Sequence, residues 1–291
     1  MPTTDNTILV PIDFSEQSLI ALGQSYNLAR LTRADITLIH VIEISSLPSK
    51  GSASEKKKEL VQLVKTVNKN LDALAKETSA KSGVHVKTAI ENGKVYEEID
   101  RYARKNKCKF IVMGTNGTEG GLKRFIGSNA LRVVRETPCP VITIRGEKHR
   151  KGCKHILLPL DLQRETKEKV SRAIEFANYF GSTINILSVV TSDDEFIMNK
   201  LTRQIKQVEE YITKQDVPCT SALIEAKDVV NEVLTYSKKI NADLIMIMTQ
   251  GEMNWTKLFI GSAAQEIINR SEIPVLSINP SKKKNLIVAE Y

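Results

Sequence analysis

Cysteine is scarce in this chain: four in 291 residues, Cys108, Cys139, Cys153 and Cys219, with no CxxC pair and with the four histidines set apart from them. That spacing excludes a zinc ribbon and a disulfide scaffold, and it suits reduced thiols. No apolar run approaches the roughly 20 residues needed to cross a bilayer. The opening MPTTDNTILVPIDF has no basic stretch followed by an apolar one, so no export signal is read there. The expectation is a cytoplasmic protein without a membrane partner. Aromatic residues make up only 5%, and none is interleaved with the basic runs EKKKE (55–59) and SKKK (281–284). Nucleic acid is therefore not the expected partner. Neither GxxxxGK[ST] nor a GxGxxG placed after a strand occurs, which removes the Walker loop and the dinucleotide fingerprint.

Hydrophobic residues at 41% and charged residues at 26% fit a globular protein, and the length suits two domains better than one. The net charge of +8 is uneven. Residues 1–145 hold 22 Lys and Arg against 15 Asp and Glu, or +7, and 156–291 hold 16 against 18, or −2. A basic first half favours an anionic ligand.

The chain is one unit written twice. HILLPLD (155–161) repeats TILVPID (7–13) and INILSVV (184–190) repeats ITLIHVI (36–42), both at an offset of 148. EAKDVVNEVLTYSKKINADLIMIMT (225–249) then answers ENGKVYEEIDRYARKNKCKFIVMGT (91–115) at an offset of 134. The first copy thus carries 14 extra residues, around SSLPSKGSASEKKK, whose Ser, Gly and Pro read as a loop. Boundaries of 1–146 and 153–280 follow, with a tail at 281–291.

Within each copy, Val- and Ile-rich runs (ILVPI, ITLIHVI, HVKTAIE, FIVMG, VITIR) alternate with helical patterns. Leu19, Leu22, Tyr26 and Ala29 share one helical face. So do Leu60, Leu63, Val64, Val67, Leu71 and Leu74, with Ser15 and Ser54 as expected caps. Alternation at this spacing predicts, for each copy, a five-stranded parallel sheet with helices on both faces, an α/β sandwich.

In such sheets ligands sit beyond the carboxyl ends of the strands. FIVMGTNG puts Gly114 and Gly117 just past a strand, and Gly127-Ser128-Asn129 opens the helix ALRVVRE. Amides at a helix start carry partial positive charge and accept phosphate, with Ser128 and Asn129 as added donors. A plain glycine-rich turn is the alternative for the motif taken alone.

Gly114-x2-Gly117-x9-Gly127-Ser128, with ILVPIDFSE before it and TPCPVITI after it, resembles the signature of the universal stress protein family. The likeness runs over almost the whole chain, twice. It implies tandem Rossmann-like domains with strand order 3-2-1-4-5 and a cytoplasmic stress or signalling module that binds ATP, or ADP or AMP, with or without Mg. It also implies residue roles. Pro11, Ile12 and Asp13 would lie beside the adenosine, Val41 would read adenine through its main chain, and Met113, Gly114, Asn116, Gly117, Gly127, Ser128 and Asn129 would face the phosphates. Asp13 has an alternative as a carboxylate that satisfies backbone donors at a helix start. Lys123 and Arg124, between the glycines, read as a solvated loop face.

The second copy departs from the motif. Met248 stands at the first glycine and Ala263 at Asn129, while Gly251 survives and EMNWTKL replaces TEGGLKR. The methionine is expected to crowd the phosphates, so the second domain would bind weakly or not at all. It would instead serve as an intramolecular pseudo-dimer partner, a homodimer of chains being the other arrangement. Little or no turnover is expected, because Glu119 is the sole acidic residue near the motif and Asp13 belongs to the nucleoside side. No catalytic or metal-ligating residue is assigned. Two alternatives remain: a slow ATP hydrolase, or a nucleotide-free scaffold that binds a signalling protein, partly through NLIVAEY (285–291). A nucleotide α-hydrolase or adenylyl transferase would need HIGH-like or SGGxDS-like motifs, which are absent.

Overall fold

A computed structural model describes residues 6–43, 53–115, 127–145, 152–161, 166–191, 194–249 and 261–280. Asn116, Gly117, Glu119, Lys123, Arg124, Gly251, Trp255 and the 281–291 tail lie outside them.

The first copy runs β1 (Thr7–Pro11), α1 (Glu16–Thr32), β2 (Asp35–Ile42), α2 (Ala53–Ser82), β3 (Val86–Asn92), α3 (Val95–Lys105), β4 (Phe110–Gly114), α4 (Ser128–Glu136) and β5 (Val141–Ile144). The second repeats it: β6 (His155–Pro159), α5 (Thr166–Phe180), β7 (Thr183–Val190), α6 (Glu195–Thr213), β8 (Cys219–Glu225), α7 (Val229–Lys239), β9 (Leu244–Met248), α8 (Ser262–Arg270) and β10 (Val275–Ile278). Each copy forms a five-stranded parallel set in the order 3-2-1-4-5, as the family resemblance implies. The strands alternate as the pleat requires. Ile8 and Val10 enter a core layer with α1, α2, α5 and α6, and Leu9 enters the opposite layer with α3, α4, α7 and α8.

The two sets join into one ten-stranded sheet through an antiparallel pair, β5 against β10. Val141 faces Ser277, Ile142 faces Leu276 and Thr143 faces Val275. At the 134 offset Ile142 and Leu276 are the same position, so a local two-fold axis passes through that pair and each copy is the other's partner. Reciprocal caps tighten the joint. Asn279 sends its Nδ2 to the last carbonyls of α4, Val134 O at 3.0 Å and Arg135 O at 3.3 Å. Its counterpart Arg145 sends Nη1 to Asn269 O at the end of α8. Each takes up carbonyls that a helix end leaves without partners. Asn279→Ala is expected to cost about 1–3 kcal/mol of stability, read as a lower midpoint in urea unfolding with little change in slope.

Three local expectations are corrected. The extra residues of the first copy are not all loop: from Ala53 onward they lengthen α2 to 30 residues, against 19 for α6. Ser, Gly and Pro end by Ser54, whereas EKKKE is a run of good helix formers with opposite charges three apart, Glu55 with Lys58 and Lys56 with Glu59. Ser54 consequently lies inside α2 rather than capping it. Ser15 does cap α1, accepting from Ser18 N at 3.2 Å. On α1 the buried stripe is Ser18, Ala21, Leu22, Ser25, Leu28 and Ala29, and Leu19 is 41% exposed. Small residues hold that face because α1 packs tightly on the sheet.

Candidate functional site

The strands of the first copy end together, and their ends shape a cavity of about 370 Å³. The end of β1 and the residues after it supply Pro11, Ile12 and Asp13, β2 supplies Val41, β4 supplies Met113 and Gly114, and the start of α4 supplies Gly127, Ser128 and Asn129. Nine of the eleven expected site residues thus share one hollow, and the other two, Asn116 and Gly117, lie outside the described residues.

The helix start is the chemically active part. α1, α6 and α7 begin on Ser15, Asp194 and Asp228, whose side chains each accept from a first-turn amide. α4 begins on Gly127, which has no side chain to do so. The N–H of Gly127 goes to Thr115 O at 2.6 Å, so it is used by the fold. Intrahelical bonding starts at Leu131, whose N–H goes to Gly127 O at 3.3 Å, and Ser128, Asn129 and Ala130 precede it along the cavity wall. A helix start of this kind offers amides and partial positive charge to an anion.

Across the cavity lies the end of β2. Ile39 O accepts from Ile12 N at 2.8 Å, which directs Ile39 toward β1. Main-chain groups repeat direction every two residues along a strand. Val41 therefore turns its N–H and C=O the same way, past the end of β1 and into the cavity. One donor and one acceptor side by side suit the edge of a heteroaromatic base.

The remaining expected residues play different parts. Ile12 has both main-chain groups engaged, its N–H by Ile39 and its carbonyl by His40 Nδ1 at 2.7 Å, and its side chain is core. Met113 is likewise core, 5% exposed, and forms the cavity floor. Asp13 is exposed at the rim and its Oδ1 accepts from Ser15 N at 2.9 Å, the backbone role given above as its alternative. Between them Phe14 sits at φ 62, a left-handed value uncommon for a bulky residue. The Asp13–Ser15 and Ile12–His40 bonds and the Phe14–His40 ring contact hold it there.

Gly114 needs a different reason from the one its motif suggests. A Cβ there would lie 2.8 Å from the carbonyl oxygen of Gln17 in α1. The residue is glycine so that α1 can lie on the end of β4. Met248, its counterpart, is 8% exposed in the core layer shared with α5. Its side chain packs under the sheet, and the expectation that it crowds a phosphate site is corrected. α8 also starts like α4: Gly261 has φ −54 and ψ 139 against −55 and 141 for Gly127, and its N–H goes to Thr249 O at 2.9 Å. Among the described residues, the differences in the second copy include Ala263 for Asn129, Ser188 for His40, and Lys169 for Ala21. Lys169 is buried and donates from Nζ to Pro159 O at 2.8 Å.

His40 and Glu43 also line the first cavity and were not singled out from the sequence. His40 is the one polar side chain in the apolar run LIHVI, a signal that could have found it. Glu43 Oε1 accepts from Val95 N at 3.4 Å, so the acidic residues near the site are not confined to Glu119. Among the described residues no group of three His, Cys, Asp or Glu could hold a metal ion, and no helix is long and apolar enough to cross a membrane.

A model of the universal stress protein family matches residues 6–145 and again 152–279. The chain belongs to the universal stress protein family. Curated universal stress proteins of Methanocaldococcus jannaschii and Bacillus subtilis are 32% and 31% identical to it over 142 and 146 residues. Each spans 48% of this chain, and 82% and 99% of the relative. A crystal structure of a universal stress protein from Archaeoglobus fulgidus shares the fold along the full length, with a TM-score of 0.76 at 19% identity, over 96% of this chain and 98% of that one. As a tandem universal stress protein, the chain carries the family fold twice.

Proposed function

We propose that the first copy binds an adenine nucleotide, ATP with or without Mg, or ADP or AMP, and releases it with little or no turnover, as a stress or signalling module. One observation carries this reading: the uncapped start of α4 and the outward main chain of Val41 open onto the same cavity. The anion-accepting end and the base-reading end are thereby set on opposite walls. A cavity of about 370 Å³ is in the range that small ligands occupy. Among the described residues, the two carboxylates that line the cavity, Asp13 and Glu43, each accept from a main-chain amide, which ties them to the fold.

The second copy is proposed to bind weakly or not at all. Ala263 provides no side-chain donor where the first copy has Asn129. Calorimetry is expected to give one ATP per chain, with an affinity that falls as salt is raised because the first half is basic. Two equivalent sites per chain would refute the asymmetry. Hydrolysis at many turnovers per minute with Mg would move the protein to the enzyme class.

A further inference from the structure

The local two-fold provides an internal control at the joint between the copies. Two hollows lie there, and they are counterparts. Phe110, Pro140 and Ile278 of the first answer to Leu244, Pro274 and Ile144 of the second at the 134 offset, and Arg172 answers to Gln24 at the 148 offset. Their sizes differ greatly, about 660 Å³ against about 50 Å³. Joining the copies through β5 and β10 therefore requires only the small one. The large one is in the range of ligand cavities, and a junction between domains is a common place for them.

Charge separates them as well. Among the described residues, Arg104, Lys107, Lys109 and Arg172 line the large hollow against one carboxylate, Glu175, whereas the small one has Asp243 and no Lys or Arg. Glu175 is partly exposed and is engaged by neighbours on its own helix, accepting from Arg172 Nη1 at 3.1 Å and from Tyr179 OH at 2.8 Å. Lys109 and Asp243 occupy the same position in the repeat. Asp243 holds main chain, taking Lys154 N at 2.7 Å and His155 N at 3.1 Å, while Lys109 has its ammonium 4.6 Å from the centre of the Tyr179 ring. Tyr179 itself stands where the first copy has Leu31. The floor is aromatic, with Phe110 edge-on to Phe176 at 5.8 Å.

We propose that this hollow is a second binding site, for a small aromatic anion such as an aryl carboxylate, sulfonate or phosphate. The ring lies against Phe176 and Tyr179, and the anionic group meets Lys109 and Arg172. The site is distinct from the nucleotide cavity: Asn6 and Lys109 precede β1 and β4, whereas Pro11 and Gly114 end them. A four- to five-residue strand separates the two by roughly 15 Å.

The test uses the full chain and 1-anilinonaphthalene-8-sulfonate, an aromatic sulfonate whose fluorescence rises on leaving water. Saturable binding at one equivalent per folded chain is expected. Lys109→Glu should weaken it at least tenfold. Lys109→Met, which keeps the stem on Tyr179 and so guards against a folding defect, should weaken it about fivefold. Saturating ATP and the Asn129→Asp substitution should leave it unchanged. A signal that fails to saturate, that ignores both Lys109 variants, or that ATP displaces would overturn the proposal, the last by placing the dye in the nucleotide cavity.

Discussion

Replacing Asn129 with aspartate is expected to lower ATP affinity by about 10- to 100-fold while leaving the protein as stable as before or slightly more so. The change is nearly isosteric and sits at the second residue of α4. A carboxylate in the first turn is favourable to the helix, worth about 0.3–1 kcal/mol. The same charge repels a phosphate: about 5 Å away at an effective dielectric of about 20, the penalty is about 3 kcal/mol, which solvent at the cavity mouth reduces. The two effects have opposite signs, so a general loss of folding cannot imitate the result. Calorimetric titration with a thermal melt on the same sample reads both. Unchanged affinity would remove the phosphate assignment from α4.

Gly114→Met is expected to be severely destabilising, by about 3 kcal/mol or more, although methionine is what the second copy has at that position. At Gly114 the first side-chain atom would strike the carbonyl of Gln17, which belongs to a helix backbone and cannot turn aside. The reverse change, Met248→Gly, opens a void in a core layer where the methionine is 8% exposed and should cost about 2–5 kcal/mol. Both are measured by urea or thermal unfolding. If Gly114→Met keeps wild-type stability but loses ATP binding, the glycine serves the ligand and its structural explanation fails.

Those two positions also show where sequence reasoning reached its limit. The repeat, the strand periods and the strand-end glycines were enough to find the fold, because each is a regularity along the chain. The α4 start was readable for the same reason, as Gly127-Ser128-Asn129 directly precedes an apolar helical pattern. Gly114 was legible as a special residue but not in its cause, because the atom it avoids belongs to Gln17, far away in sequence. The place of Met248 escapes the sequence for a related reason: which layer a strand-end side chain enters depends on where the neighbouring helix lies. Ile12 and Asp13 lie within a matching motif, yet hydrogen bonds to His40 and Ser15 decide what they have left to offer a ligand. The first turns of the long α2 resemble a loop in the sequence, because Ser and Gly dominate its approach and its charged start carries no apolar period.

The covalent joining of the copies changes what a substitution can do. In a dimer of identical chains, every replacement is made twice, and a residue near the axis meets its own image. Here the β5–β10 pair gives that geometry to two stretches with separate codons. A lysine can therefore face the joint on one side and an aspartate on the other, as Lys109 and Asp243 do, without either having to suit both roles. Fusion thus frees the halves to specialise while the shared edge keeps them together.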